Sequence, residues 1–254
     1  FGGSLNDGLN NSSKLTFNYA DEVRGEIEID SDNNVVVGTC TRSKDLPILK
    51  PIQPIMSSGL EGCIFKLDRH LSNIIWSTYF GGSGDDCIYS VDFNRNNDIV
   101  FGGGTTSADL NTTPSAFQQS YNSSNALSPD GFIATIDSNA DSVFFSTYFG
   151  TDSYDQVFFI DVTKNDQVHV LGQTNDTNNF FIKNSTISTQ KSGQFISTFS
   201  SSLSSLIRSS AIGSGKGTPD ISPTAFMVDL CNSYYLSGWG SSINGQLSTL
   251  NLPT

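Results

Sequence analysis

The chain repeats one phrase, and this repeat constrains the fold more than any other feature of the sequence. The phrase is clearest at Trp76–Asp86 (WSTYFGGSGDD) and returns at 145–155 as FSTYFGTDSYD. The chain begins inside another copy, FGGSLND from Phe1, and a degraded copy, IRSSAIGSGKGTPD, occupies 207–220. In every copy except the degraded one, an Asp lies six positions after the Phe that precedes the first glycine. Self-similarity at long, regular intervals predicts an array of similar structural units.

The same succession of strands and turns follows each copy. An apolar strand ending in Asp comes first, at 26–30, 88–92, 157–161 and 225–229. An Asn- and Asp-rich turn leads to a second strand, at 35–41, 99–106, 168–174 and 234–240. Asn and Asp favour such turns because they tolerate left-handed backbone angles, so each pair is predicted to be an antiparallel hairpin.

Two more strands complete each unit. A polar segment of variable length, at 42–60, 107–129 and 175–192, is predicted to be a surface loop. A third strand follows at 62–68, 131–137 and 194–200, and the fourth strand is the phrase itself, at 74–80, 143–149 and 206–212. Strand direction alternates within each unit. We therefore expect the long polar segments to lie on the same face of the array as the connections from each fourth strand to the next unit.

Repeated four-stranded antiparallel sheets predict an all-β fold of the β-propeller type. The predicted blades are 22–80, 87–149 and 156–212, with a partial blade at 224–254 and residues 1–3 as the end of a preceding strand. Closed propellers typically have about four to eight blades. We therefore expect about three and a half blades here, in a single propeller segment of a larger closed propeller.

Charge and hydropathy restrict the partners. Thirteen basic and 25 acidic residues give a formal charge of −12, which disfavours nucleic acid and anionic membrane surfaces. No apolar run approaches the roughly 18 residues of a membrane-spanning helix, so the chain is not expected to span a membrane.

The four cysteines, Cys40, Cys63, Cys87 and Cys231, lack the CxxC spacing and the His neighbours of a zinc site. They allow three disulfide pairings, and Cys40 and Cys63 are predicted on adjacent strands of one unit. Their equivalents in the other units are not Cys, so the sequence favours buried thiols but leaves the pairing open.

Several motifs together resemble the SBBP family of β-propeller repeats. The second unit carries them best, with STYFGGSGDD at 77–86, Asp92, the Gly103–Thr105–Ser107–Asp109 series and DGF at 130–132. The resemblance covers nearly the whole chain and fades from about residue 175 to residue 254. It implies a secreted or cell-surface protein of bacteria or archaea. Many such repeats belong to large Bacteroidota proteins exported by the type IX secretion system, some linked to gliding motility. The family carries no accepted catalytic residues, so none is transferred.

Acidic residues in the repeated phrase have two interpretations. The first is structural: each Asp accepts main-chain N–H bonds and fixes the connection between blades. The second is a Ca²⁺ site, with Asp85 and Asp86, or Asp152 and Asp155, supplying hard oxygen ligands. Because no loop has the spacing of an EF-hand and the Asp recurs once per unit, the structural interpretation is favoured. No other cofactor is expected.

Trp239 is the candidate ligand-binding residue. It lies where a second strand reaches the face with the long loops, and no other unit has an aromatic residue there. It is either a stacking platform for a sugar or a packing residue. His70 and His169 lie in different units, so no catalytic triad is supported. The GSGKGT segment at 213–218 lacks P-loop spacing and belongs to the degraded phrase.

Three functions remain open. The leading hypothesis is a non-enzymatic scaffold or adhesive module of a large exported protein, outside a bacterial outer membrane, binding a protein or glycan. The second is a carbohydrate-active enzyme, which needs two carboxylates facing each other across roughly 5–10 Å. The third is a component or substrate bound to the secretion machinery.

Overall fold

The computed structural model describes residues 2–18, 20–57, 59–122 and 128–240, and there the chain is all-β apart from a 3-10 helix at Asp21–Val23. Its strands are β1 Glu26–Ile29, β2 Val35–Thr41, β3 Glu61–Leu67, β4 Ile74–Phe80, β5 Asp86–Phe93, β6 Ile99–Thr105, β7 Asp130–Ile136, β8 Val143–Phe149, β9 Asp155–Val162, β10 Val168–Thr174, β11 Gln194–Phe199, β12 Leu206–Ile212, β13 Ser222–Val228 and β14 Tyr234–Trp239.

Within these residues the strands form three four-stranded sheets and one two-stranded sheet, each in simple chain order. The sheets are β1–β4, β5–β8, β9–β12 and β13–β14, and all pairings are antiparallel. The prediction of an all-β fold built from four-stranded antiparallel units is confirmed. Phe1, assigned to a preceding strand, and residues 241–254 of the partial unit lie outside the described residues.

The first strand begins at the predicted residue in the first unit, and earlier than predicted in the second, third and fourth units. β5 and β9 start at Asp86 and Asp155, two residues before the apolar runs at 88 and 157. The Asp86 amide donates to the Leu60 carbonyl at 3.0 Å, and Asp86 pairs with Thr105 on β6. The Asp of the repeated phrase is therefore the first residue of the next sheet.

Successive sheets pack through their first strands. β5 packs against β1, β2 and β3, β9 packs against β5, β6 and β7, and β13 packs against β9. Carboxylates on these strands also accept main-chain N–H bonds from the following sheet. Glu26 accepts from Val91 at 2.9 Å, and Asp161 accepts from Val228 at 3.0 Å.

The Tyr and the Phe that end the fourth strand lie in different environments. Phe80 packs against Phe101 and Phe132 of the second sheet, with ring centroids 4.8 and 5.6 Å apart. Phe149 makes the equivalent contact with β11 of the third sheet. The preceding tyrosine points elsewhere, as the Tyr79 hydroxyl donates to the Ser43 carbonyl at 2.7 Å. The phenylalanines thus fill the core between sheets, whereas the tyrosines anchor the long polar segments.

The long polar segments are packed more closely than the prediction of surface loops implied. The first one runs back along β4, with isolated bridges from Leu49 to Ser77 and from Gln53 to Tyr79. Its own side chains Leu46 and Met56 are buried. Running along the outer edge of β4 satisfies main-chain groups that an edge strand otherwise leaves unpaired.

A segment ahead of β1, which we call the strap (residues 10–24, with residue 19 outside the described part), crosses three later sheets. Leu15 is fully buried, and its carbonyl accepts a bond from the Gln156 amide at 3.1 Å. The Asn10 side chain donates to the Tyr89 hydroxyl at 3.3 Å, and Phe17 stacks on Tyr154. The strap therefore joins parts of the chain that are more than a hundred residues apart.

Candidate functional site

The repeated Asp residues act as acceptors for the turns around them. The Asp86 carboxylate accepts bonds from the Gly82 amide and the Ser107 hydroxyl, both at 2.8 Å, and from the Thr105 hydroxyl. Asp155 accepts from the amide and the hydroxyl of Thr151, both at 2.6 Å. These bonds tie each fourth strand to the next sheet, as the structural interpretation of the sequence required.

A second acidic residue lies near each of these Asp residues, at the start of the third strand. Glu61 faces Asp86, because a methyl group on Gly81 would lie 2.4 Å from an Asp86 oxygen and 2.5 Å from a Glu61 oxygen. Asp130 and Asp155 form the equivalent pair in the next repeat. Burial raises the pKa of Asp86 to about 7, partly offset by its hydrogen bonds. Burial likewise raises the pKa of Asp130 to about 7 and that of Asp155 to about 8.

One oxygen of Asp130 and one of Asp155 are buried without a hydrogen-bond partner among the described residues. In the third repeat the strand register puts Gly193 at this position, and the oxygen of the next side chain, Gln194, accepts from the Asp220 amide N–H at 3.2 Å. The carboxyl pairs can hold a proton or serve as structural acceptors. The sequence signal for them is the acidic residue before the glycine of the third strand, in Glu61–Gly62 and Asp130–Gly131.

The other two calcium candidates lie apart from these pairs. Asp85 accepts from the Ser12 hydroxyl at 2.7 Å and so holds the strap. Asp152 is exposed. Across the described ranges, no group of three or more His, Cys, Asp or Glu side chains is arranged to hold a metal ion. The calcium interpretation stays a prediction, and Asp86 and Asp155 already have protein donors.

Trp239 is 65% exposed and lines a groove of about 260 Å³ between the strap and the first strands. Arg24, Glu26, Phe158 and Phe159 also line it. The Arg24 guanidinium lies 4.3 Å from the centre of the Phe158 ring and donates to the Pro223 carbonyl at 3.1 Å. The groove combines aromatic faces with one cation and one carboxyl group, which is the chemistry that binds sugar rings and peptide side chains.

Four carboxyl groups on the first strands interact with one another, and one of them, Glu26, lines this groove. They are Glu26, Glu28, Asp92 and Asp161. Burial raises the pKa of each, to about 7 for Asp92, and repulsion from neighbouring carboxylates adds to the rise for Glu26, Glu28 and Asp92. Sequence reasoning noted Asp92 and Asp161 as strand ends, but it missed that these groups converge.

A second groove lies on the face of the short turns, between the second and third sheets. It measures about 510 Å³ and is lined by Asn94, Asn96, Asp98, Phe144 and Asp166, among others. Arg95 closes one side through an ion pair with Asp166 at 2.7 Å. Nothing in the repeat pattern predicted this groove.

The two histidines are separate, as expected. His70 is exposed in a turn, whereas His169 is buried between the third and fourth sheets. Its Nδ1 lies 3.0 Å from the Tyr234 hydroxyl and 3.1 Å from the Thr198 hydroxyl. Burial lowers the pKa of His169 to about 4, so the ring is neutral at physiological pH.

No protein-family model matches the chain, and no curated protein matches it. Within the described ranges, none of the helical structure could cross a membrane. The resemblance to SBBP repeats accordingly stays a prediction based on the motifs themselves.

Proposed function

We propose that the chain is part of a non-enzymatic β-propeller that serves as a binding scaffold of a large exported or cell-surface protein. The observation that carries the proposal is the exposed Trp239 at an aromatic groove beside the first strands, where the sheets approach one another most closely. Propellers commonly bind ligands where the blades converge, because several loops contribute side chains there.

Two apolar surfaces support the larger propeller. Ile27 and Ile29 are exposed on the first sheet, and Met227 and Tyr235 are exposed on the fourth. The equivalent faces of the second and third sheets pack against the neighbouring sheets. Further blades of the same type would cover both surfaces and close the ring. Electron microscopy of the native polypeptide tests this: a closed ring that covers Ile27 and Met227 supports it, and an open arc overturns it.

The partner is a glycan or a protein at the cell surface, and Trp239 is its main contact. Binding of a panel of bacterial polysaccharides and surface proteins is to be measured with the native protein and with Trp239→Ala. The matched control is Phe144→Ala, which removes an exposed ring on β8, outside this groove. A stacked ring contributes about 0.5–1.5 kcal/mol, so Trp239→Ala should weaken binding by up to about tenfold, while Phe144→Ala should leave it unchanged. Inertness of the native protein toward the whole panel would overturn the binding function.

A carbohydrate-active enzyme is the second candidate, because Glu26 lines the same groove and interacts with Glu28 and Asp161. A raised carboxyl pKa is what a general acid needs. If this candidate is right, Glu26→Gln abolishes hydrolysis of a glycan that the protein still binds. Binding without any turnover favours the scaffold.

A further inference from the structure

The three interfaces between sheets are built from equivalent positions. At each interface two positions face each other. One is the residue before the last Thr of the second strand of a sheet. The other is the residue after the Asp in the copy of the repeated phrase that leads into the next sheet. Between the second and third sheets these residues are Gly104 and Gln156, and a methyl group on Gly104 would lie 2.2 Å from the Gln156 amide oxygen. Between the third and fourth sheets, the Gln173 amide donates to the Ile221 carbonyl at 2.7 Å.

Both equivalent positions are cysteines at the first interface. They are Cys40 on β2 and Cys87 on β5, and both side chains are fully buried. The two thiols contact each other, and they share a core cluster with Leu60 and Tyr89. Of the three interfaces, this is the one where the facing side chains can form a covalent bond with each other.

Cys63 is excluded as a partner by the register of the sheet. It pairs directly with Thr39, so it lies on the opposite face of the sheet from Cys40. Its neighbours are Tyr79 on β4 and, from the first long segment, Leu46 and Met56. Cys231 is exposed in the turn between β13 and β14. The adjacency of β2 and β3 predicted from sequence is confirmed, but it does not bring Cys40 and Cys63 together.

We propose that Cys40 and Cys87 form a disulfide that covalently joins the first sheet to the second. The oxidant is a small-molecule or protein disulfide. The thiolate of one cysteine attacks it and releases one thiol, and the second cysteine then attacks the mixed disulfide and releases the other. Two thiol protons leave with the two reduced products, so the overall reaction exchanges one disulfide for another.

The burial of both thiols determines when the bond forms. Burial raises the pKa of the Cys87 thiol, as does its contact with Cys40, so Cys87 forms little thiolate in the folded interface, and burial also shields both sulfur atoms from an oxidant. The bond therefore forms while this interface is still open during folding. The proposal is independent of the proposed binding function, because its test supplies the oxidant.

The test is refolding of the native polypeptide in a buffer of oxidised and reduced glutathione, followed by peptide mapping without reduction. The expected result is a cross-linked peptide pair containing Cys40 and Cys87, lighter by the mass of two hydrogen atoms. The oxidised protein should also melt roughly 5–10 °C above the reduced protein, because the link constrains the unfolded chain. Cys87→Ala should remove both the link and the redox dependence of melting, while Cys63→Ala should leave them unchanged.

Several outcomes would overturn the proposal. One is that Cys40 and Cys87 both remain free, or carry only glutathione, under conditions that oxidise the exposed Cys231. Another is a mapped link from Cys63 to either residue. Mapping of the native sequence needs no substitution, so a Cys87→Ala variant that fails to fold would not rescue a negative result.

Discussion

The Lys66 ammonium group lies 2.7 Å from the Asp30 carboxylate, and both side chains are almost fully buried. The same ammonium donates to the Ser138 carbonyl at 3.3 Å, as the Trp76 indole does at 3.0 Å. One cation therefore neutralises a carboxylate in the first sheet and contacts a turn of the second. Burial alone would raise the pKa of Asp30, but its bonds to Lys66 and Asn34 outweigh that effect and lower it.

Replacing Lys66 with methionine should destabilise the fold by about 3 kcal/mol, because it leaves a buried carboxylate without its cation. The measurement is urea unfolding at neutral pH. The control is Arg95→Met, which breaks the exposed ion pair with Asp166 and should cost less than about 1 kcal/mol. Equal losses in the two variants would contradict the importance of the buried pair. The pairing contribution should also vanish as the pH falls through the lowered pKa of Asp30, where the carboxylate is protonated.

The pair of Asp130 and Asp155 predicts a loss of stability at alkaline pH. The folded-state pKa values of about 7 and about 8 lie above those of the unfolded chain, so the folded state binds more protons between about pH 4 and pH 8. The stability linked to these protons is present below pH 4 and is lost as the pH rises through 7 and 8. We expect the free energy of unfolding to fall between about pH 4 and pH 8 and to level off above about pH 8.

Asp130→Asn tests the origin of that loss. The amide keeps the size of the Asp130 side chain but cannot ionise, so it removes the proton that this buried carboxyl group binds in the folded state. The variant should be more stable than the native protein by about 1–3 kcal/mol at pH 8 and should show a weaker pH dependence. Asp152→Asn, at an exposed site, should change neither quantity. A native-like slope in Asp130→Asn would show that another group causes the loss.

Asp86→Ala distinguishes the structural role from calcium binding. It removes the acceptor for the Gly82 amide and for the Thr105 and Ser107 hydroxyls, so a loss of about 2–4 kcal/mol is expected. Because these donors belong to the protein, the melting temperature of the native chain should be the same in excess Ca²⁺ and in a chelator. A saturable rise with Ca²⁺ that disappears in Asp86→Ala would establish the calcium site instead.

The strap depends on Arg24 for its contact with the fourth sheet. The Arg24 guanidinium donates to the Pro223 carbonyl and to the Ser222 hydroxyl. It also forms an ion pair with Asp21 at 2.7 Å and stacks on the Phe158 ring. Arg24→Met should increase hydrogen exchange of the amides in residues 20–24 and in β13, while exchange in the second sheet stays low. Arg69→Met, in an exposed turn, serves as the control. Unchanged exchange in β13 would mean that the strap does not hold the fourth sheet.

The sequence predicted the sheets well because each strand repeats a local pattern. The bounds of β2, β4, β8, β10 and β12 match the predicted ones, and apolar runs with Asn- and Asp-rich turns suffice to define them. The start of β5 at Asp86 was missed because an Asp that follows several glycines is also typical of a turn. Asp86 belongs to the strand because it pairs with Thr105 on β6, and a local sequence pattern does not show that pairing.

The site was less predictable, since it is made of contacts between distant positions. Trp239 was recognised from its lack of an equivalent in other units, but its groove needs Arg24 and Phe158. The strap has no repeat pattern at all, so the contact between Leu15 and Gln156 left no signal in either segment. The contact between Cys40 and Cys87 follows from the repeat only when the equivalent pair at Gly104 and Gln156 is known in three dimensions.

The strap changes how such an array can unfold. In a chain of units that touch only their neighbours, the end unit can melt alone and the others follow one by one. Here a single segment bonds to β5, β9, β10 and β13, so losing any one of these contacts loosens a shared element. The four sheets are therefore expected to unfold in a single cooperative transition. The fourth sheet, with its two described strands, then unfolds only when the strap detaches.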